Sequence, residues 1–269
     1  MTGYRSPATS FVAVVACISA AAMLLGARVS SAAERFGGAL CLYDLTGGVS
    51  EPVPSMAHCT CTEEQQGVHN SDGAYDKALM WRGAGLGEGS GMVAEYYETR
   101  NGEPGAVCLL YLHITSLDSS IRTSIDLYVW DDADGEPGQV LGILPDLPLF
   151  SVAPYPAVGT RDWDIFERMP IGVQGGFWLG IRGNWDTEEC SVLVPLDTFD
   201  DDPKEPAVRR SAVTYVGPGV DELSEGWHSI EEIVGVPAAT GINGVIGYCP
   251  VPVLETSWGK VKQLYLDGK

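Results

Sequence analysis

Short runs of apolar residues, separated by turn-forming residues, make up most of the chain from residue 74 onward. Strand-length examples are KALMW, AVCLLYLHIT, TSIDLYVW, GGFWLGIRG, CSVLVPL and SAVTYVG. Gly, Pro, Asp and Asn lie between the runs, and few stretches have the 3.6-residue period of an amphipathic helix. The pattern predicts an all-β fold, an antiparallel β-sandwich of jelly-roll type, over residues 74–250.

Two of these runs predict how strands face their surroundings. AVCLLYLHIT is continuously apolar, as in a central strand that is covered on both sides. TSIDLYVW alternates instead, and its aliphatic residues, which should face the core, are Ile125, Leu127 and Val129. The intervening residues, which should face outward, are Asp126, Tyr128 and Trp130. This strand should therefore have an aliphatic inner face and a partly aromatic outer face.

The first 33 residues have the features of a secretory signal peptide. Arg5 precedes an apolar run over residues 11–25, and the small residues VSSAA end at Ala33, where we expect cleavage. The apolar run is shorter than the roughly 20 residues that span a bilayer, so an uncleaved anchor is the less favoured alternative. A lipoprotein signal ending at Cys17 is another alternative, because VVAC resembles a lipobox. The sequence thus predicts a secreted or cell-surface protein with no stable membrane span after cleavage.

Cysteines follow the predicted cleavage site at six positions: Cys41, Cys59, Cys61, Cys108, Cys190 and Cys249. An even number in an exported chain favours disulfide bonds, although the sequence does not choose their pairing. Residues 34–73 are rich in loop-forming residues and hold three of these cysteines, so we predict a disulfide-stapled N-terminal arm. Metal binding by HCTC with His69 is the alternative, but its C-x-C spacing differs from that of common zinc modules.

The charge of the chain restricts its partners. Asp and Glu number 36 against 16 Lys and Arg, for a net charge of −20. Such a charge disfavours nucleic acids and anionic membrane surfaces, which bind clustered basic residues. It is compatible with divalent cations and neutral glycans.

An acidic turn in YVWDDADGEPGQV is the first candidate cation site. Asp131, Asp132 and Asp134 offer the hard oxygen ligands that Ca²⁺ prefers, and calcium is the one cofactor we predict. The spacing of a calcium-binding EF-hand loop fails here, because Trp130 and Leu141 would occupy its first and last positions. The alternative is a solvated hairpin corner. A second acidic cluster, also a weaker calcium candidate, consists of Asp197, Asp200, Asp201 and Asp202.

Patterns that indicate catalysis or nucleotide binding are scarce. The histidines form no HExxH pair, Ser90 is not framed as G-x-S-x-G, and WRGAGLGEGSGM matches no dinucleotide-binding register. We therefore predict no enzymatic activity and no catalytic residues. Paired carboxylates of a glycoside hydrolase remain an alternative, since the many acidic residues make some pair inevitable.

Aromatic residues give a more positive indication. Tryptophan and tyrosine are spread over the β-rich part of the chain, and aromatic rings can stack on the C–H faces of sugars. We predict Trp130 and Trp185 as ligand-binding residues. The alternative is that these rings pack in the core.

The last residues, 251–269, form a separate C-terminal extension that contains Trp258, Lys260, Lys262 and Tyr265. Together with DLYVWDDADGEPGQVLG and GGFWLGIRGNW, the terminal SWGKVKQLY resembles a group of uncharacterised exported bacterial β-sandwich proteins that end in an S/T-W-G-x-[IV]-K-x-L-Y tail. The resemblance implies an exported jelly-roll-like domain whose tail is read by export or surface-attachment machinery, and it supplies no catalytic residues. Four residues, LDGK, follow the tyrosine in this chain.

These features together favour a secreted or surface-associated, non-enzymatic β-sandwich. Its expected role is that of an adhesive, glycan-binding or envelope structural module, with extracellular glycans, envelope proteins or further copies of itself as partners. The alternatives are a secreted hydrolase of glycoside hydrolase type and a subunit of an extracellular filament.

Overall fold

A computed structural model describes residues 40–49, 65–71, 73–81, 91–118, 120–166, 168, 170–183, 192–198, 212–217 and 223–248. These residues form fifteen strands and one short α-helix, so the fold is all-β, as predicted. The first strands are β1 (Leu40–Val49), β2 (Gln65–Val68), β3 (Ala74–Trp81), β4 (Met92–Glu98), β5 (Gly105–Ser116), β6 (Arg122–Ala133), β7 (Glu136–Phe150) and β8 (Gly159–Asp164). The remaining elements are β9 (Ile171–Val173), β10 (Gly176–Gly183), β11 (Val192–Thr198), β12 (Val213–Val216), β13 (Gly226–Ser229), α1 (Ile230–Val234), β14 (Ala238–Thr240) and β15 (Ile242–Gly247).

The strands form two sheets. In the nine-stranded sheet the order is β1, β3, β11, β5, β15, β2, with β14 beside β11 and with β8 and β9 beside β5. The six-stranded sheet runs β13, β12, β4, β10, β6, β7. All pairs of these strands are antiparallel, which confirms the predicted antiparallel architecture. Jelly-roll connectivity stays a prediction.

A single large apolar core lies between the sheets, as in a β-sandwich. Leu127 and Val129 of β6 face it from the six-stranded sheet, and Leu110 and Leu112 of β5 face it from the other sheet. The opposite side of β5 packs in a smaller cluster with Val245. Every residue of β5 is buried, which confirms the central strand predicted from its continuous apolar run.

The N-terminal range 34–73, predicted as a loop-rich arm, contributes two strands to the nine-stranded sheet. β1 pairs with β3, and β2 pairs with β15, which lies far away in the sequence. Composition alone did not indicate these strands, because their stability comes from long-range pairing partners. Cys41 lies on β1 and Cys108 is buried on β5, whereas the other four cysteines of the predicted disulfides lie outside the described residues. The disulfide bonds therefore stay a prediction.

The predicted signal peptide and C-terminal extension also lie outside the described residues. Within the part of the chain that the structure describes, no helix has the length and apolar character needed to cross a membrane.

Candidate functional site

The side of the six-stranded sheet that points away from the core carries a layer of aromatic rings. We call this layer the aromatic face, and its members are Tyr96, Tyr128, Trp130, Trp178, Tyr215 and Trp227. The alternation predicted for β6 is confirmed, because Leu127 and Val129 lie in the core whereas Tyr128 and Trp130 belong to the separate outer cluster. A soluble sandwich commonly has polar side chains on an outer face, so a continuous aromatic layer is a feature to explain.

Two tryptophans form the base of the aromatic face. Trp130 on β6 lies directly opposite Trp178 on β10, and only 4% and 1% of their surfaces are exposed. The Trp130 ring lies over Gly180 of β10, where a Cβ atom would come within 2.7 Å of the ring. Glycine at this position therefore allows the ring to lie against the sheet. The base is held in one orientation by its neighbours.

Half-buried rings cover this base and meet the solvent. The Tyr128 ring stacks on Trp130 with 5.3 Å between centroids and 11° between planes. Trp227 of β13 meets Trp130 edge-on at 5.4 Å, and Tyr96 meets Trp178 in the same manner at 5.3 Å. Such edge and offset contacts are the geometries that aromatic pairs prefer. The surface thus presents preformed, partly exposed rings.

Carboxylates lie along the border of the aromatic face. Asp132 accepts a hydrogen bond from Trp178 Nε1 at 3.0 Å, and Glu98 accepts one from the Tyr96 hydroxyl at 2.8 Å. The Tyr215 hydroxyl donates a hydrogen bond to Glu225 at 3.3 Å. Desolvation raises the pKa of Tyr215, and the nearby charge of Glu225 raises it further. The border is therefore rich in hydrogen-bond acceptors and negative charge, which suits a neutral ligand with hydroxyl donors and disfavours an anion.

Of the two predicted ligand-binding tryptophans, Trp130 is among the described residues. Trp130 is covered by Tyr128 and Trp227 and supports the face from below instead of meeting the solvent. Trp185 lies outside the described residues. Tyr128 was assigned to the correct face by alternation, but Trp227 lies on a four-residue strand that has no clear sequence pattern. The partly exposed rings of the site were therefore not predicted individually.

The three carboxylates of the predicted calcium turn have separate surroundings. Asp131 Oδ1 accepts a hydrogen bond from the backbone N–H of Gln139, across the hairpin between β6 and β7. Asp132 faces Trp178, and Asp134 lies at the exposed turn with a φ of 57°. Among the described residues, no group of three or more His, Cys, Asp or Glu is placed to hold a metal ion. Nothing in this geometry supports calcium at the turn, and calcium binding stays a prediction.

Of the second acidic cluster, Asp197 is among the described residues. Asp197 is buried on β11, with 8% of its surface exposed. Asp200, Asp201 and Asp202 lie outside the described residues, as do the tail residues Trp258, Lys260, Lys262 and Tyr265. These predictions are therefore not resolved by the fold.

A buried carboxyl group, that of Glu95, lies on the core side of β4. Its oxygens accept hydrogen bonds of 2.7 Å from Asn70 Nδ2, from the Thr240 backbone N–H and from the Thr240 hydroxyl. Asn70 follows β2 and Thr240 ends β14, so these bonds connect the six-stranded sheet to the nine-stranded sheet. Burial raises the pKa of Glu95 to about 7, although the hydrogen bonds oppose this rise.

Comparison with known proteins finds a structural likeness that is too distant to carry an argument. No protein-family model matches the chain, and no curated protein sequence matches it. The chain is similar to part of a solved structure, the cysteine protease and lectin-like domains of Cwp84, a surface layer associated protein of Clostridium difficile. The similarity covers 68% of this chain and 36% of that chain, at 11% sequence identity and a TM-score of 0.44. A likeness this distant carries no information about activity, ligand or location.

Proposed function

We propose that this protein is a secreted or surface-associated, non-enzymatic β-sandwich that binds a neutral glycan on its aromatic face. The observation that carries the proposal is the set of half-buried rings, Tyr96, Tyr128 and Trp227, held on the outward side of the six-stranded sheet. Export through residues 1–33 and surface attachment through residues 251–269 belong to the same proposal.

The chemistry of sugars fits this surface in two respects. The C–H faces of a pyranose ring are apolar and pack on aromatic rings, while its hydroxyl groups donate hydrogen bonds to acceptors at the edge. Asp132 and Glu98 supply such acceptors beside Trp178 and Tyr96. Since Trp130 and Trp178 already fix the rings above them, little conformational entropy would be lost when a ligand binds.

The charge of the protein favours uncharged sugars at this position. The border carboxylates repel an anionic sugar at this face, most strongly at low ionic strength. A neutral glycan avoids this repulsion and loses no ionic hydration on binding. The aromatic face is therefore expected to select neutral polysaccharides.

Affinity electrophoresis in gels that contain cellulose derivatives, β-glucan, xylan or mannan tests the proposal. We expect at least one of these neutral polysaccharides to retard the wild-type protein. Trp227→Ala should weaken that binding by about fivefold, because loss of one stacking ring costs about 1 kcal/mol. Trp227 lies on the edge strand β13, so its replacement should leave the sandwich folded.

Leu117→Ala is the matched control, because Leu117 is 47% exposed and lies outside the aromatic face. It should bind as the wild type does, and thermal melts should show that both variants are folded. Wild-type protein that none of the polysaccharides retards, or a folded Trp227→Ala variant that binds normally, would refute glycan binding by this face.

A further inference from the structure

A groove of about 390 Å³ lies where β6 begins and β7 ends, at the opposite end of these strands from their hairpin. The residues that line it are Ser120, Ile121, Arg122, Phe150 and Ser151. Arg122 and Phe150 are direct partners across the two strands. Arg122 precedes Tyr128 by six residues on the same strand, which corresponds to roughly 20 Å, so the groove is separate from the aromatic face.

One wall of the groove is fixed by Arg161 of the other sheet. Its guanidinium donates to the carbonyl oxygen of Phe150 from Nε at 3.2 Å and from Nη2 at 3.0 Å, and Nη2 also donates to the Ser151 carbonyl. Ser151 has a φ of 51°, which a non-glycine residue rarely adopts. Arg161 thus positions the backbone of a turn that would otherwise be unfavourable, next to Phe150 in the groove.

The opposite wall is fixed by a hydrogen-bonded loop. Asp118 Oδ1 accepts from the Ser120 backbone N–H at 2.8 Å and from the Ser120 hydroxyl at 2.7 Å. These two bonds hold the pKa of Asp118 below its usual value. The negative charge next to the groove is therefore engaged within its own loop, and both walls are shaped before any ligand arrives.

Arg122 and Phe150 are exposed in this groove. Phe150 is 54% exposed, which is unusual for so large an apolar side chain. In the part of the chain that the structure describes, the Arg122 guanidinium has no ion pair or side-chain hydrogen bond. An unengaged cation beside an exposed ring is notable in a protein with 36 acidic and only 16 basic residues.

We propose that this groove is a second glycan subsite, which binds the carboxylate of a uronic acid residue. The planar guanidinium of Arg122 can donate two parallel hydrogen bonds to a carboxylate, and Ser151 lines the same groove. The apolar face of the same sugar ring stacks on Phe150. The inference relies on the proposed function only in taking a glycan as the ligand, since the groove and the aromatic face are separate surfaces.

Isothermal titration at low salt with tetragalacturonic acid and with its methyl ester tests the charge requirement directly. The two probes have the same sugar rings and differ in the carboxylate. Wild-type protein should bind the acid about tenfold more tightly than the ester, as expected for one charge-assisted contact. Arg122→Gln should lower the affinity for the acid to that for the ester, and Phe150→Ala should weaken binding of both probes.

Arg168→Gln is the matched control, because it removes an exposed positive charge that does not line the groove, and it should bind the acid normally. Trp227→Ala distinguishes the two proposals. If Trp227→Ala abolishes binding of the acid while Arg122→Gln does not change it, the acid binds the aromatic face and the groove proposal is wrong. Equal affinities for acid and ester, or no binding of the acid by wild-type protein at millimolar concentration, would also overturn it.

Discussion

Burial changes the acid–base behaviour of two side chains in this sandwich. Glu95 has no exposed surface, and desolvation raises its pKa from 4.5 to about 7. His113 is 2% exposed, and desolvation lowers its pKa from 6.5 to about 4. Each group is therefore held closer to its neutral form in the folded protein than in the unfolded chain.

Glu95 should make the protein less stable as the pH rises towards and through 7. Because its folded-state pKa exceeds the unfolded value, its contribution to stability is fully present below pH 4.5 and is lost as the pH passes about 7. The total change is on the order of 3 kcal/mol for a shift of this size. Urea unfolding at several pH values should show that the free energy of unfolding of the wild type, relative to that of Glu95→Gln, falls progressively between pH 4.5 and about 7.

His113 has a pH effect of the opposite sign, and it is present in both proteins. Its stabilising contribution is present above pH 6.5 and is lost as the pH falls towards 4. Between pH 4.5 and 6.5 the two effects partly cancel in the curve of the wild type, but His113 cancels in the difference from Glu95→Gln, so that difference isolates Glu95 from pH 4.5 to about 7. Parallel curves for wild type and Glu95→Gln in that range would contradict the raised pKa.

Glycines in the strands differ in how much space their neighbours leave for a side chain. A Cβ atom on Gly180 of β10 would lie 2.5 Å from the Val93 carbonyl oxygen and 2.7 Å from the Trp130 ring. A Cβ atom on Gly172 of β9 would approach nothing more closely than 4.0 Å, the distance to the Gly105 carbonyl oxygen. The two positions therefore form a matched pair for testing the base of the aromatic face.

Gly180→Ala should destabilise the protein by about 1–3 kcal/mol, because the new methyl group displaces Trp130 or the β4 backbone. Gly172→Ala should change stability by less than about 1 kcal/mol, and a small gain is expected since alanine restricts the unfolded chain. Chemical unfolding gives both values, and near-UV circular dichroism should change only in Gly180→Ala. Equal effects of the two substitutions would show that Trp130 does not lie over Gly180.

The strands that the sequence predicted best are those with a local signal. β5 has an unbroken apolar run, and the alternation in β6 placed Leu127 inward and Tyr128 outward. β2 and β13 have four residues each and no such pattern, because they are stabilised by β15 and β12 and not by their own composition. Trp227 was missed as a site residue for this reason.

For the molecule as a whole, one core joins the two sheets and should make unfolding cooperative. Leu79 and Leu112 from the nine-stranded sheet and Leu127 and Leu179 from the six-stranded sheet belong to the same apolar cluster. Neither sheet can separate without exposing this surface to water, which costs about 25 cal/mol for each Å² of apolar area. We therefore expect the described residues of the two sheets to unfold together.

We expect thermal unfolding followed by far-UV circular dichroism and by tryptophan fluorescence to give coincident transitions. The comparison is informative because Trp81 lies in the central core whereas Trp130 and Trp178 lie on the outer aromatic face. An earlier transition in fluorescence would show that the aromatic face loosens before the core. Reversibility should be checked by a second scan.

The amino-acid sequence was sufficient to predict the all-β class, because alternation and turn residues are local properties of the chain. It also determined a charge that disfavours nucleic acid partners. The sequence did not predict that Trp130 lies beneath Tyr128 and Trp227, or that Arg122 lies next to Phe150. Those arrangements depend on strand pairing and register between segments distant in sequence, and the exposure of each ring depends on which neighbours cover it.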